Sequence, residues 1–248
     1  KYETLRNITD SITEDELDAL ASGEVDNDKG TAPYNQYINF PQREKTGYVY
    51  FVEDDDDVTS DFLYFPSANV FAQYEVEFTR EFESDISSGT SSNLDDFENE
   101  KIYMVGDWFN IVQGDRVSPG RVKLTLMSGP VLASLQEGET KTYTINGKEY
   151  EVTVPIITDS GTIYVVLVVN GETTNKLQES GTEKLKDGTF IGVKDILPNE
   201  AGDVSQDLVE FYLGASKIVI EDQDVNTRGN GTQKIEVDGD TINDANVE

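Results

Sequence analysis

Two Asn-Gly pairs constrain the fold of this chain more than any other feature of its sequence. Asn146-Gly147 separates residues 142–145 from residues 148–157, and both runs are rich in β-branched and aromatic residues. Asn-Gly supplies the two positive φ angles of a type I′ turn, which joins two antiparallel strands. Asn170-Gly171 repeats the arrangement after the apolar run 164–169, which we expect to be a central strand buried on both faces.

Further runs of strand-forming residues, separated by turn residues, lie on both sides of this region. They are residues 48–52, 62–65, 70–79, 102–105, 108–112, 189–197, 208–213 and 217–220. Short strands at regular spacing, with no helical pattern between them, are typical of antiparallel sheets packed as a sandwich. The sequence therefore predicts an all-β chain with two antiparallel Ig-like β-sandwich domains.

A short N-terminal helix is predicted before the strands begin. Thr13 and Glu16 have the spacing of a capping box, in which each side chain satisfies a free backbone amide. Three apolar residues follow at helical spacing: Leu17, Leu20 and Ala21. Gly23 is a natural stop for this helix, and the polar residues 27–33 read as a loop or linker.

Changes of composition divide the chain into four parts. Residues 1–33 are an N-terminal segment with the short helix, and residues 34–118 are a first β-rich domain. Residues 119–222 are a β-sandwich domain, and residues 223–248 are a polar linker or tail. The boundary between the two β domains is placed near the turn-forming residues 115–120.

The net charge argues against several classes of partner. The chain has 49 acidic and 19 basic residues and a formal charge of −30 at pH 7. Phosphate backbones are bound by neutralising them with Lys and Arg, so we expect no nucleic-acid partner. An anionic lipid surface likewise attracts basic segments, so we do not expect this acidic chain to bind one. No run approaches the roughly 20 apolar residues of a membrane helix, so we expect no membrane insertion.

The composition also removes much catalytic chemistry. There is no cysteine and no histidine, which excludes disulfides, thiolate metal sites and Ser-His-Asp arrangements. A glycosidase needs only two carboxylates, but among 49 acids such pairs carry no information. We therefore expect that the protein is not an enzyme. Trp108 and the tyrosines are candidates for a sugar-stacking platform, although their period-2 placement favours the core.

One aspartate cluster is a candidate structural calcium site. It comprises Asp54, Asp55, Asp56, Asp57 and Asp61, after a predicted strand. Adjacent carboxylates repel one another unless they are solvated or share a cation, and Ca²⁺ takes six to eight oxygen ligands. The alternative is a solvated acidic turn.

A second candidate follows the last predicted strand. Asp222, Asp224 and Asn226 have the D-x-D-x-N spacing of a calcium loop. Thr227 stands where an EF-hand needs glycine, and Gln233 stands where it needs glutamate. This segment is therefore not an EF-hand, and a solvated turn is the favoured interpretation.

Two Asn-x-Thr patterns match the acceptor for N-glycosylation. They begin at Asn7 and at Asn230. Such matches are close to chance in a chain this rich in Asn and Thr. They gain weight if the protein is secreted, because glycans solubilise exposed loops.

A series of strand and turn motifs resembles archaeal surface-layer proteins, of the methanogen type and their relatives in small-genome archaea. The motifs are V-G-D-W-F-N-I-V at 105–112, the strand 122–126 leading to Gly129, L-Q-E-G-E-T at 135–140 and Y-T-I-N-G-K-E-Y-E-V at 143–152. The likeness continues through residues 169–174, 185–188 and 211–215 and is firmest between 102 and 222. It implies a secreted, acidic β-sandwich protein that tiles the cell surface as an array, contacts divalent cations and is often glycosylated.

The leading functional hypothesis is thus a structural, extracellular cell-surface protein, a subunit or fragment of a self-assembling array. Its expected partners are other copies of itself and divalent cations, with Ca²⁺ as a structural ion. One alternative is an extracellular filament, in which an edge strand accepts a strand from the next subunit. The segment before Pro33 is a candidate for that strand, or for a lid over an edge. The other alternative is a binding module for surface glycans.

Overall fold

The computed structural model describes residues 5–40, 50–52, 62–64, 70–86, 91–158, 161–199, 207–225, 234–243 and 245–247. The first strands are β1 (Ser11–Ile12), β2 (Gly23–Asn27), β3 (Gly30–Asn39), β4 (Tyr50–Val52), β5 (Phe62–Tyr64), β6 (Gln73–Phe78), β7 (Ser92–Asn93), β8 (Lys101–Met104), β9 (Asp107–Ser118) and β10 (Arg121–Ser128). The later strands are β11 (Val131–Gln136), β12 (Thr140–Ile145), β13 (Lys148–Ile157), β14 (Val165–Val169), β15 (Glu172–Thr173), β16 (Thr182–Lys184), β17 (Phe190–Leu197), β18 (Leu208–Leu213), β19 (Ser216–Asp222), β20 (Lys234–Val237) and β21 (Asp240–Thr241).

The protein is all-β with antiparallel sheets, as the sequence predicts. In the part of the chain that the structure describes, the helical elements are α1 (Leu5–Ile8) and two short 3-10 helices, Asp18–Leu20 and Asp95–Phe97. Within the described ranges, no helix is long and apolar enough to cross a membrane. The chain divides into unit 1, residues Lys1–Glu83 and Ile102–Trp108, and unit 2, residues Ser84–Lys101 and Phe109–Glu248.

The sheet of unit 1 is built around β3. Strand β6 pairs along one side of β3, while β2 and β1 pair in succession along the other side. Alternate residues of β3 are buried, namely Ala32, Tyr34 and Gln36, as expected for a strand with one face towards the interior. Strands β4 and β5 form a separate pair.

The predicted N-terminal helix is not formed as a helix over residues 13–22. The capping contact does form, because the Thr13 backbone N–H donates to Glu16 Oε2 at 2.9 Å. The chain then turns away, since the Glu14 carboxylate accepts from Ser22 N–H at 2.7 Å and β2 begins at Gly23. The space before β2 holds only a turn and the 3-10 helix that buries Leu20, and so short a helix is unstable without such packing.

The predicted loop at residues 27–33 is a tight hairpin instead. Asn27 pairs with Gly30 across the turn, and its Oδ1 accepts from Lys29 N–H at 2.9 Å, which is a local Asx turn. Strand β3 then begins at Gly30 and runs through Pro33. The segment before Pro33 is therefore already paired within its own sheet.

Unit 2 contains a hydrophobic core that receives side chains from two four-stranded sheets. Their strand orders are β11-β18-β17-β16 and β12-β13-β14-β15. Fully buried contributors include Leu135, Val152, Leu167, Ile191 and Phe211. Strand β14 is central in its sheet, but only its alternate residues Val165, Leu167 and Val169 are buried. The expected burial of both its faces is therefore wrong, because this sheet covers the core on one side only.

The Asn-Gly hairpins are confirmed. Asn146 and Gly147 have φ values of 50° and 80°, and Ile145 pairs with Lys148 across the turn. Asn170 and Gly171 repeat these angles at 49° and 80° between β14 and β15.

A further sheet runs in the order β21-β20-β19-β10-β9-β7, and β8 also pairs with β9. Strands β9 and β10 are joined by a turn at Pro119 and Gly120, where the sequence places a domain boundary. Here that turn connects two paired strands of one sheet.

Candidate functional site

The structure places few of the predicted metal-binding residues. The cluster Asp54 to Asp57 with Asp61 lies outside the described residues, as does Asn226. Asp222 ends β19, and its Oδ1 accepts from Asp224 N–H at 2.8 Å, which is a local turn. Over the described ranges, no three acidic side chains gather closely enough to hold a metal ion.

Of the two predicted glycosylation positions, one is described. Asn7 lies on α1 and is exposed. Asn230 lies outside the described residues. Glycosylation therefore stays a prediction at both positions.

An exposed tryptophan lies against a half-buried tyrosine beside the tight turn between β8 and β9. Trp108 is 56% exposed, and its ring centroid lies 5.5 Å from that of Tyr103. The placement of Trp108 in the core is therefore wrong. Strand β9 buries its side chains only from Phe109 onwards, so its first residues remain outside the interior.

The turn itself has an unusual composition. Its central residues are Val105 and Gly106, with φ values of 50° and 89°. Positive φ is rare for a β-branched residue because the branched side chain crowds the backbone. Val105 is also 62% exposed, so its side chain gains little from packing here.

A buried glutamine holds this turn in place through hydrogen bonds of its side-chain amide. Gln36 is 2% exposed, and its Oε1 accepts from the Tyr74 hydroxyl at 2.5 Å and from Val105 N–H at 3.3 Å. Its Nε2 donates to the carbonyl of Ala21. Burial, with a smaller effect from Tyr34, raises the pKa of Tyr74 far above its usual value, so the hydroxyl stays a proton donor.

Trp108 and Tyr103 place two aromatic rings beside this turn, and the exposed ring of Trp108 can stack on the apolar face of a sugar ring or on another side chain. Sequence reasoning missed Gln36. The signal was available, because Gln36 occupies the third inward position of β3 after Ala32 and Tyr34. A polar residue in that register indicates a buried hydrogen-bond centre.

Unit 2 has a shallow groove of about 490 Å³ with a concentration of basic side chains. Arg116, Arg121 and Lys123 line it, together with the acids Asp115 and Glu221. The guanidinium of Arg121 forms an ion pair with the Glu221 carboxylate. Three cations against two carboxylates leave this groove more positive than the rest of this acidic chain.

A half-buried serine also lines this groove. Ser92 Oγ is buried and has no hydrogen-bond partner among the described residues. The groove offers contacts for an anionic group, and neither its shape nor its cations were predicted from the sequence.

No family model, curated protein or solved structure matches this chain.

Proposed function

We propose that this protein is a structural protein of the cell surface, a subunit or fragment of a self-assembling array. The observation that carries the proposal is an all-antiparallel β body with a net charge of −30. Such sheets present rigid surfaces and strand edges for repeated contacts between copies. The resemblance of the strand and turn motifs to archaeal surface-layer proteins supports the same proposal and an extracellular location.

Divalent cations have a specific part in this proposal. Copies with a charge of −30 repel one another, and Ca²⁺ or Mg²⁺ between acidic faces would offset that repulsion. We propose that the cations act between the acidic faces of neighbouring copies, and the cluster Asp54 to Asp57 with Asp61 stays the candidate site within one chain.

Electron microscopy of the purified chain in EDTA, and again after addition of millimolar Ca²⁺, tests the proposal. We expect sheets or tubes with a two-dimensional repeat after Ca²⁺ is added. A one-dimensional fibre would favour the filament alternative instead. Particles that stay monomeric in both conditions, at high protein concentration, would contradict self-assembly.

Thermal unfolding supplies an independent check on the cations. A ligand that binds the native state specifically raises the melting temperature by mass action. We expect CaCl₂ to stabilise the protein more than NaCl at matched ionic strength. Equal shifts in the two salts would reduce the cation effect to general screening.

A surface glycan-binding module is the second candidate, favoured by the exposed Trp108 and Tyr103 pair. In this case a monomer would bind sugar saturably, and Trp108→Ala would abolish the binding without lowering stability. Val117→Ala, at another exposed apolar side chain of β9, is the matched control. No binding across a broad panel of polysaccharides would remove this candidate.

The finer description of the fold remains part of the proposal. We propose β-sandwich packing for the two four-stranded sheets that share the unit 2 core. An Ig-like assignment requires Greek-key connections, whereas β12, β13, β14 and β15 follow one another in sequence order. The Ig-like assignment therefore stays a prediction that an experimental structure would test.

A further inference from the structure

Strand β11 is an outer strand with one side open. It pairs along its whole length with β18, from Val131 opposite Leu213 to Gln136 opposite Leu208. Among the strands that the structure describes, none pairs with its other side. An outer strand of this kind presents unpaired backbone groups to which another strand can add.

The hydrogen-bond pattern identifies which groups face the open side. Glu137 N–H donates to the Asp207 carbonyl at 2.9 Å at the end of the β11–β18 ladder. Because bonded pairs alternate in antiparallel sheets, residues 131, 133 and 135 of β11 bond to β18. The backbone N–H and C=O groups of Leu132 and Ser134 therefore point away from β18.

At the carboxyl end of β11, the backbone groups that point away from β18 are already hydrogen-bonded within the chain. Gln136 N–H donates to Glu139 Oε2 at 2.9 Å, and the Gln136 carbonyl accepts from Glu139 N–H at 3.0 Å. The open part of the edge is thus centred on Leu132 and Ser134, with Ala133 between them.

This edge lacks the protection that the comparable edges have. Strand β11 reads V-L-A-S-L-Q and carries no charge, although 27% of the chain is charged. The other outer strands of six residues are β6, with Glu75 and Glu77, and β12, with Lys141. Charged residues on outer strands discourage pairing between molecules, and β11 has none. Leu132 is in addition 46% exposed.

We propose that β11 is a self-association edge, at which β11 of a second copy of this chain adds as an antiparallel strand. The two-fold axis passes through Ala133, so Leu132 of each copy lies opposite Ser134 of the other. These two bonded pairs supply four backbone hydrogen bonds. The inference deepens the proposed self-assembly and rests on it, since it names one of the contacts that an array uses.

The uncharged edge is where a second copy meets the least electrostatic repulsion. Two bodies that each carry −30 repel least where the facing surfaces are uncharged. On the neighbouring strands, Glu210 lies opposite Ser134 and is paired with Lys194 at 2.7 Å, so these charges offset each other. The spacing of Leu132 and Ser134 about Ala133 is also self-complementary, as a two-fold contact requires.

Two substitutions test the edge by different means. Ser134→Pro removes an outward N–H that β18 does not use, and proline is tolerated on the open side of an outer strand. Leu132→Lys places a charge on the edge and leaves the backbone unchanged. Thr142→Lys, at an exposed position of β12, adds the same charge to another outer strand and is the matched control.

Sedimentation velocity over a wide concentration range, in low and high salt, gives the readout. We expect the wild type and Thr142→Lys to dimerise, and both edge variants to weaken the dimer by at least about tenfold in Kd. Circular dichroism and thermal unfolding identify a variant that has failed to fold. The inference is overturned if a folded edge variant dimerises as tightly as the wild type.

The remaining outcomes separate this inference from the proposed function. If Ser134→Pro and Leu132→Lys form the same lattice as the wild type by electron microscopy, the edge inference fails and self-assembly stands. If the wild type forms neither dimers nor lattices, both fail. Binding of a synthetic β11 peptide by a chain that stays monomeric would assign the edge to another protein, which also overturns the inference.

Discussion

The interiors of the two units are stabilised in different ways. The main core of unit 2 is built from aliphatic and aromatic side chains such as Leu167 and Phe211, which are fully buried. The interior of unit 1 contains polar centres: the amide of Gln36, and the Tyr34 hydroxyl, which accepts from Tyr103 N–H at 2.8 Å. Packing contributes stability in proportion to buried area, whereas hydrogen bonds specify partners. Unit 1 therefore combines the packing of apolar residues such as Leu20 and Val25 with a buried hydrogen-bond centre at Gln36, whereas the main core of unit 2 is apolar.

The largest expected effect is the loss of a central side chain from unit 2. Phe211→Ala should lower the free energy of unfolding by about 3–5 kcal/mol, because the surrounding core cannot close a cavity of that size. Ile156→Ala, at a position of β13 that is 45% exposed, is the control and should cost under about 0.5 kcal/mol. Denaturant titration measures both, and equal losses would contradict the distinction between the core and the outer face.

The corresponding substitution in unit 1 is Gln36→Leu. It changes the side-chain volume little but leaves the Tyr74 hydroxyl and Val105 N–H without their acceptor, so we expect a loss of about 1–3 kcal/mol. Hydrogen exchange should become faster at the Val105 amide while the strands of the unit 2 core are unchanged. Gln73→Leu, on the exposed side of β6, should do neither. If Gln36→Leu is neutral, unit 1 is stabilised by packing like unit 2.

A gain in stability is expected at the turn that Gln36 supports. Val105→Asn should stabilise unit 1 by about 1 kcal/mol, because Asn tolerates the positive φ that a β-branched residue adopts at a cost. The backbone N–H that donates to Gln36 is retained in this variant. Thermal unfolding measures the gain, and a lower melting temperature would show that the valine side chain itself contributes to stability.

The smallest effect concerns Glu98 and Glu179, two carboxyl groups of unit 2 whose pKa values are raised. Burial raises the pKa of Glu98, and neighbouring acids including Asp115 and Glu179 add to the rise. Burial likewise raises the pKa of Glu179, with Asp195 as a further cause. In this pH range the folded state holds more protons than the unfolded state. Each group therefore lowers the free energy of unfolding as the pH rises from about 4.3, the pKa of Glu in the unfolded chain, through the raised pKa in the folded protein.

Substitution by glutamine should remove that pH dependence. Glu98→Gln keeps an acceptor for Gly114 N–H and should raise stability at pH 7 by about 0.5 kcal/mol, with little change at pH 4. Glu149→Gln, at an exposed position of β13, is the control. Melting temperatures across this pH range measure the effect, and a gain at pH 4 equal to that at pH 7 would exclude relief of the raised pKa.

Local signals in the sequence predicted local structure well. The Asn146-Gly147 and Asn170-Gly171 hairpins form because their turn residues dictate the φ angles whatever surrounds them. The capping box shows the limit of such signals. The contact between Thr13 and Glu16 is present, but the helix is replaced because Glu14 bonds to Ser22 and β2 begins immediately afterwards.

Features that depend on distant residues were missed. Trp108 is exposed because β9 buries its side chains only from Phe109 onwards. The sequence pattern of the strand does not reveal where that burial begins. The role of Gln36 depends on Tyr74, Val105 and Ala21, three residues that come together only in the fold. The open edge of β11 requires knowledge that its partner is β18, far along the chain.

That distant pairing has a consequence for the order in which the chain folds. Strands β12 to β15 pair with their sequence neighbours across short turns, which form quickly because little chain must be closed. Val131 of β11 can pair only after Leu213 has been brought to it, and closing the long loop between these residues is slow. We therefore expect β11 to join its sheet late, so that during folding both of its sides are exposed to the nascent chains around it.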